Sequence, residues 1–143
     1  MRAIRYQAAG GVVVDGDRVL VLLRPGRDEV RLPKGHVEKG EQARDTARRE
    51  VTEESGYADI EIQDDLGTQT VEFEYQDAHV IRDERYFLMR LRSPRQIVRD
   101  AHELQFTPTW VNWDDALSRL TFEPEREWMR RAHNTWRSIT SPQ

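Results

Sequence analysis

Residues 35–57, GHVEKGEQARDTARREVTEESGY, place a strong helical pattern directly after a glycine-containing loop. Ala43, Ala47 and Val51 recur at i, i+4 and i+8, which predicts a helix over residues 42–55 with one apolar face. Gly56 follows where the C-terminal cap of such a helix is expected. A helix with one apolar face buries that face against another layer, so the rest of the chain must supply that layer.

The same helix carries three glutamates close together. Glu50, Glu53 and Glu54 are spaced i, i+3 and i+4, which places three carboxylates within roughly 100° of arc. Like charges at this distance repel one another unless a cation lies between them. Carboxylate oxygens are the ligands that Mg²⁺ and Mn²⁺ prefer. Acidic helix faces are nevertheless common, and the spacing alone favours a solvated face over a metal site.

The loop before the helix changes that balance. The only two lysines of the chain, Lys34 and Lys39, both lie in LPKGHVEKGE, residues 32–41. Gly35 and Gly40 permit a ligand to approach the backbone closely, and the compact charge of Lys34 suits a phosphate oxygen. A basic, glycine-containing loop followed by a carboxylate-bearing helix is what metal-assisted phosphate chemistry requires. Lys39 is interpreted as an exposed loop residue.

Strand patterns lie on both sides of this loop and helix. Alternating or β-branched segments predict strands at residues 6–14, 18–24, 58–62, 67–75, 85–91 and 108–113. Residues 76–79 are a turn signal, so the strands around them are expected to form a long antiparallel hairpin. Residues 25–29, PGRDE, are predicted to be a loop.

Two further helices are predicted near the C-terminus. Asp114 is expected to cap a short helix, and Pro124 suits the first turn of a last helix that ends near Ser138. Trp128 begins an apolar stripe on that last helix. Together with the strands, these helices predict a mixed sheet with helices packed on it, in the α+β or α/β class, and a single domain over residues 1–143.

Composition excludes several classes of function. The chain has no cysteine, which rules out disulfides, a thiolate zinc site and a cysteine nucleophile. The net charge of −4 and the lack of a basic run argue against a nucleic acid partner. No apolar run reaches membrane-spanning length and no apolar signal segment opens the chain, so we expect a cytoplasmic protein.

The fixed residues of segment 35–57 resemble the Nudix box of the Nudix hydrolase family, Gly-x5-Glu-x7-Arg-Glu-U-x-Glu-Glu-x-Gly-U, where U is a bulky apolar residue. Every fixed position is filled, and the one departure is Tyr57, aromatic rather than aliphatic at the last U. The resemblance implies an α+β fold, namely an α/β/α sandwich with a mixed β-sheet. It also implies hydrolysis of a nucleoside diphosphate linked to another group, by water attack on phosphorus with Mg²⁺ or Mn²⁺.

The resemblance implies roles for individual residues as well. The implied metal-binding residues are Gly35, Glu50, Glu53 and Glu54. Arg49 matches the arginine that orients the cluster by an ion pair, and Glu41 matches an acid that binds metal or ties down the loop. The residue that deprotonates water varies across the family between a box glutamate, here Glu53 or Glu50, and an acid on a later loop, here Glu103. The alternative for Glu103 is an exposed loop acid.

The opening LPKGH resembles the diadenosine polyphosphate hydrolases of this family. A polyphosphate bridge carries several negative charges, which Lys34 and His36 would meet, although His36 has a structural role as its alternative. Tyr75 resembles a tyrosine marker of that subfamily, which stacks on a base or lies near the phosphates, and its alternative is a strand aromatic in the core. The arginines expected to line the phosphate channel are Arg24, Arg82 and Arg85, together with Arg5.

The leading hypothesis is therefore an enzyme that cleaves diadenosine polyphosphates and releases ATP or a shorter nucleotide. Inositol pyrophosphate phosphohydrolase and nucleoside triphosphate pyrophosphatase are the alternatives within the family. A non-catalytic nucleotide sensor with the same fold is the alternative from another class, and such proteins typically lose box glutamates, which are all present here. The expected partner is a small nucleotide substrate. The oligomeric state and the bond cleaved stay open.

Overall fold

The computed structural model describes residues 2–141. Its elements, in chain order, are β1 (Arg2–Asp15), β2 (Arg18–Arg24), β3 (Glu29–Arg31), β4 (Lys34–His36), α1 (Ala43–Ser55), β5 (Ile60–Tyr75), β6 (Ala78–Leu91), β7 (Thr107–Asn112), α2 (Trp113–Arg119) and α3 (Glu123–Thr140). Short 3₁₀ turns at Pro25–Arg27 and Ala101–Gln105 lie in the connections. None of the helices within residues 2–141 is both long and apolar enough to cross a membrane.

Seven strands of the described residues form one mixed sheet. β1 lies at its centre, antiparallel to β2 and parallel to β6 from Arg2 opposite Ala78 to Val14 opposite Arg90. β5 pairs with β6, β3 and β7 pair with β2, and β4 pairs with β1. The predicted mixed sheet and the long antiparallel hairpin, here β5 and β6, are both confirmed.

Helices cover both faces of the sheet because β1 directs alternate side chains to opposite sides. Val12 and Val14 belong to the buried cluster that contains Trp128 of α3. Val13 belongs to the cluster on the other face, where Val51 of α1 is buried. The two apolar clusters, one on each side of a shared sheet, make the fold the predicted α/β/α sandwich.

The helix predicted over residues 42–55 is confirmed as α1. Its apolar residues Ala47 and Val51 are fully buried against the sheet. Gly56 ends it in the left-handed conformation, at a φ of 86°, and its N–H donates to the Thr52 carbonyl at 2.8 Å. The sequence located this helix well because its cap and its apolar spacing agree.

The cap predicted for the short helix was wrong. α2 begins at Trp113, and its N-cap is Asn112, whose side-chain oxygen accepts a hydrogen bond from the backbone N–H of Asp115 at 2.8 Å. Asn112 is the last residue of β7, so the helix follows the strand without an intervening loop. Asp114 instead lies in the first turn, where its negative charge favours the helix dipole. The last helix, α3, continues to Thr140, slightly beyond the predicted end.

Two other local predictions also need correction. Residues 25–29 contain a 3₁₀ turn and the start of β3, which pairs with β2. Residues 58–62 and 67–75 were expected to be separate strands, but residues 60–75 form the single strand β5. Two register shifts in β5, at 62–64 and at 65–68, accommodate the irregular residues that suggested a break.

Candidate active site

The basic loop before α1 is fixed to the sheet on one side and to α1 on the other. Its residues 34–36 form β4, which pairs with β1, and the Gly11 N–H donates to the Pro33 carbonyl at 3.2 Å. The backbone N–H of Lys34 donates to Oε1 of Glu54 at 2.9 Å. These contacts bring the basic loop and the acidic helix face to one place.

Gly35 lies directly against the carboxylate of Glu50. A Cβ atom at residue 35 would lie 2.5 Å from Oε2 of Glu50 and closer still to its Cδ. A side chain at residue 35 would therefore displace the Glu50 carboxylate from its present position, and glycine permits the close approach. The sequence suggested a glycine for close approach at this position, and the first group that approaches is a carboxylate of the protein itself.

Glu50 and Glu54 are crowded together and largely withdrawn from water. Burial raises the pKa of Glu50 to about 7, an effect that Arg49 opposes and that Glu53 and Glu103 increase. Burial also raises the pKa of Glu54 well above its usual range, and the charge of Glu50 adds to the rise. Glu53 is different, because 45% of its side chain is exposed. The two buried acids thus repel each other as long as both are charged.

Arg49 orients these acids. Its guanidinium donates to Oε2 of Glu41 and to Oε1 of Glu50, both at 2.9 Å, and to the carbonyl oxygen of His36 at 3.2 Å. The hydrogen bond from Arg49 lowers the pKa of Glu41 to about 2. Glu41 also accepts a hydrogen bond from the Thr46 hydroxyl at 2.5 Å. This geometry favours the loop-tying alternative for Glu41, because the carboxylate joins the loop to the first turn of α1.

The donor set fits a hard divalent cation, since it offers carboxylate oxygens beside a glycine backbone that a Cβ would block. Glu50 and Glu54, together with Glu53 and Gly35, would hold it. Within residues 2–141, no three acidic or histidine side chains already stand in ligating positions. The guanidinium of Arg49 already binds two of these carboxylates, since its Nη1 lies 2.9 Å from Glu50 and 3.4 Å from Glu53. A cation among these oxygens would relieve the repulsion between the buried acids.

Glu103 lies in the second 3₁₀ turn, beside this acidic cluster. Its side chain is only 13% exposed, and its charge helps to raise the pKa of both Glu50 and Glu54. The exposed loop acid considered as an alternative is therefore not what the structure shows. Arg99 holds the turn in place. Its Nη1 donates to the carbonyl oxygens of Glu54, Glu103 and Phe106 at 3.0, 3.1 and 2.9 Å.

Replacing Arg99 with methionine is expected to lower kcat by about 10- to 100-fold, the range seen when groups that orient functional residues are removed. The reason is that Arg99 alone joins three carbonyls of the 3₁₀ turn and the end of α1, so the Glu103 carboxylate loses its fixed position. Hydrogen–deuterium exchange over residues 100–106 should rise in parallel, which reports the loosened turn without reference to activity.

The matched control is Arg95→Met, because Arg95 is exposed on the same segment and its side chain donates no hydrogen bond to residues 2–141. It should change neither kcat nor exchange. If both substitutions act through the Glu103 carboxylate, the double variant Arg99→Met, Glu103→Gln should have a kcat only slightly lower than that of Glu103→Gln alone. Fully additive losses would contradict a positioning role for Arg99.

A small cavity of about 180 Å³ lies between the basic loop and α1, and we call it the basic cavity. Its functional lining residues are Arg31, Lys34, Gly35, His36, Glu54 and Arg82. The ammonium group of Lys34 lies 4.0 Å from Oε2 of Glu125, and its side chain is 9% exposed. Burial lowers the pKa of Lys34, and Glu125 opposes that effect. The His36 ring stacks on Tyr6 at 4.0 Å between centroids.

A larger cavity of about 450 Å³ adjoins the first, and we call it the aromatic cavity. Arg31 and Arg82 line both cavities. The aromatic side chains in its wall are Phe73, Tyr75 and Phe122. Tyr75 is 57% exposed, so the alternative that it packs in the core is wrong. It is the last residue of β5.

The arginines expected to line the phosphate channel lie in different parts of the structure. Arg82 reaches the basic cavity, held by a 2.6 Å hydrogen bond from its Nε to Glu84. Arg85 points to the opposite face of β6, because an odd spacing along a strand reverses the side-chain direction. It pairs there with Asp65, away from the basic cavity. Arg24 lies over the ring of Phe106, outside the lining of either cavity.

Arg5 is also removed from the proposed channel, since it is exposed and pairs with Asp83 at 2.8 Å. Lys39 is exposed, as interpreted from the sequence. Three residues that sequence reasoning did not single out contribute to the site, namely Arg99, Phe122 and Glu125. Phe122 and Glu125 contact residues about 90 positions away, and Arg99 binds backbone carbonyls, so no spacing in the sequence identified them. Glu125 in particular resembles an ordinary acid in the first turn of a helix.

Comparisons with known proteins agree with this fold. A family model for the NUDIX domain matches residues 5–132. The Ap4A hydrolase of C. elegans, solved as a binary complex, superposes with a TM-score of 0.72 at 22% identity, covering 93% of this chain and 98% of that one. The dihydroneopterin triphosphate pyrophosphohydrolase of E. coli superposes with a TM-score of 0.68 at 25% identity, covering 90% and 96%.

A curated protein of Mycobacterium tuberculosis, named mutator protein MutT4, is 33% identical over an alignment 136 residues long that covers 88% of this chain. The chain spans 54% of the length of that relative. The chain belongs to the Nudix domain family, whose hydrolases generally use divalent metal ions.

Proposed function

We propose that this protein is a pyrophosphohydrolase of dinucleoside polyphosphates, with diadenosine polyphosphates as the leading substrates. The observation that carries the proposal is that the two cavities share Arg31 and Arg82 in their walls. The basic cavity holds Lys34 next to Glu54, and the aromatic cavity opens beyond the shared residues Arg31 and Arg82. A phosphate chain suits the first cavity and a nucleobase suits the second.

The chain's own residues would divide the work as follows. Glu50, Glu53 and Glu54 hold the divalent ion, and the Gly35 backbone lies beside them. A bound Mg²⁺ or Mn²⁺ would neutralise phosphate charge and activate the attacking water. In this proposal the Glu103 carboxylate accepts the proton of that water, and its support is that the side chain is only 13% exposed and its charge acts on Glu50 and Glu54. A box glutamate is the other candidate for this step.

On the substrate side, Lys34 and Arg82 bind phosphate oxygens, and His36 completes the wall of the basic cavity. Tyr75 and Phe122 bind the base by stacking, since both are exposed aromatic side chains in the wall of the aromatic cavity. Arg24 and Arg85 do not enter this proposal, because neither lines these cavities.

A nucleoside triphosphate pyrophosphatase is the second candidate. It is favoured by two named relatives, a mutator protein and a triphosphate pyrophosphohydrolase. An inositol pyrophosphate is a weaker candidate, because an inositol ring offers no aromatic face to Phe73, Tyr75 or Phe122. A sensor without activity is disfavoured by the intact set of box glutamates.

A substrate panel with Mg²⁺ or Mn²⁺, read by product chromatography, tests the proposal. The panel contains diadenosine tetra-, penta- and hexaphosphate, an inositol pyrophosphate, ADP-ribose and the nucleoside triphosphates. We expect the diadenosine compounds to be cleaved fastest, with ATP among the products. Preferred cleavage of the triphosphates would establish the second candidate instead. The absence of turnover for every compound would favour the sensor.

A further inference from the structure

Arg31 lies at the junction of the basic cavity and the aromatic cavity. It is the last residue of β3, where its backbone pairs with Leu22 of β2. Its side chain lines both cavities, and its guanidinium lies 5.5 Å from the ring centre of Phe122. A cation over an aromatic face is favourable and limits the orientations of the guanidinium.

The guanidinium of Arg31 lacks a polar partner in the part of the chain that the structure describes. It forms neither a hydrogen bond nor an ion pair within residues 2–141, and its Nε is fully buried. Most neighbouring arginines differ, since Arg82 pairs with Glu84 and Arg49 pairs with Glu41. A buried donor without a partner costs free energy, and natural structures rarely retain one without a reason.

The other two cations at the junction have carboxylate partners. Three cationic side chains, Arg31, Lys34 and Arg82, lie near one another, and Arg31 and Arg82 disfavour the charge on Lys34. Glu84 pairs with Arg82, Glu125 faces Lys34, and Glu54 lies in the wall of the basic cavity. Glu29 and Glu72 lie in the wall of the aromatic cavity. None of these carboxylates forms an ion pair with Arg31 in the part of the chain that the structure describes, so an anionic ligand at the junction would supply the missing partner.

We propose that Arg31 binds the bridging phosphates of the substrate, where the chain passes from the aromatic cavity to the acidic cluster. The guanidinium fork suits two phosphate oxygens at once, and its position over Phe122 fixes the direction of the fork. This inference rests on the proposed function for its substrate. It makes Arg31 a determinant of phosphate chain length, because only a chain that crosses the junction reaches it.

The test is Arg31→Gln, compared with Arg31→Lys and with Lys39→Gln, which removes one cation from an exposed position of the following loop. The first readout is calorimetric binding of inorganic tripolyphosphate in EDTA, which needs neither metal nor turnover. We expect Arg31→Gln to weaken binding by about tenfold or more, the size typical of hydrogen bonds to charged groups. The tripolyphosphate affinity of Arg31→Lys should lie between those of wild type and Arg31→Gln, and the affinity of Lys39→Gln should equal that of wild type.

The second readout is steady-state kinetics on diadenosine tetraphosphate and on ADP-ribose, if cleaved. Arg31→Gln should raise KM for the longer phosphate bridge several-fold more than for the shorter one. Thermal unfolding without ligand separates binding from a structural role. Because Arg31 has no polar partner to lose, its replacement should leave the Tm unchanged or raise it.

Equal tripolyphosphate affinity in Arg31→Gln and Lys39→Gln would overturn the inference, as would a lowered Tm with unchanged affinity. If wild type cleaves diadenosine compounds under that outcome, the proposed function stands without Arg31. If instead Arg31 governs tripolyphosphate binding but no panel compound is cleaved, the anion site is supported and the proposed function fails.

Discussion

Replacing Glu54 with glutamine is expected to lower kcat by at least about 100-fold, because loss of groups that only support a metal site already costs about 10- to 100-fold. The change removes one negative charge from the acidic cluster but keeps the shape of the side chain. The amide oxygen can still accept the hydrogen bond that the Lys34 backbone N–H donates to Glu54. Electron paramagnetic resonance of Mn²⁺ should show weaker ion binding beside the kinetic loss.

The fold should survive this substitution. Burial of the Glu54 carboxylate is unfavourable, as its raised pKa shows, so a neutral amide should not lower the Tm of the metal-free protein. Glu53→Gln should reduce kcat by a similar factor, although its side chain is more exposed. The control is Glu127→Gln, a helical glutamate that also pairs with an arginine one turn away. Near-native turnover of both Glu53→Gln and Glu54→Gln at saturating Mg²⁺ would refute the metal assignment.

The second large effect is expected for Gly35→Ala. The added Cβ would overlap the Glu50 carboxylate, so either that side chain or β4 must move. We expect Mn²⁺ affinity to fall at least about tenfold and kcat to fall with it, since a displaced ligand acts much like a missing one. Titration with Mn²⁺ and steady-state kinetics measure the two losses separately.

Gly26→Ala is the matched control, because a Cβ there meets nothing within 4 Å. A double-mutant cycle with Glu50→Ala identifies the cause. If Gly35→Ala acts by displacing Glu50, adding it to Glu50→Ala should cost little further activity. Wild-type ion affinity and turnover in Gly35→Ala would mean that the loop relaxes freely and that the tight contact is unimportant.

The local chemistry of the loop and α1 could be predicted from the sequence, because its determinants are close in the chain. Arg49 and Glu50 are adjacent, and a fixed helical period decides where Glu53 and Glu54 lie relative to them. Gly56 ends the helix by its backbone conformation alone. The same locality explains why α1 was predicted closely and why a long antiparallel hairpin was expected at β5 and β6. The strand bounds of that hairpin were predicted less well, because β5 is one strand rather than two and β6 begins at Ala78 rather than at residue 85.

Predictions failed where the answer depended on which face of a strand is covered. Arg82 and Arg85 have similar sequence surroundings, yet strand alternation sends only Arg82 to the basic cavity. Tyr75 has the composition of a core strand residue, but its ring is exposed at the end of β5. The odd spacing alone predicts opposite directions for Arg82 and Arg85, but which of them faces the basic cavity, and whether Tyr75 is covered, depends on what packs on each face of the sheet.

The sequence by itself determined the fold class, the acidic helix and the loop that precedes it, because periodicity and caps act over a few residues. Only the tertiary structure decided what surrounds them. It placed Glu103 beside the acidic cluster through Arg99 and set Glu125 against Lys34. It also left the Arg31 guanidinium between two cavities without a polar partner in residues 2–141. These relations join residues far apart in the chain, and the packing of α1 and α3 on opposite faces of one sheet fixes them.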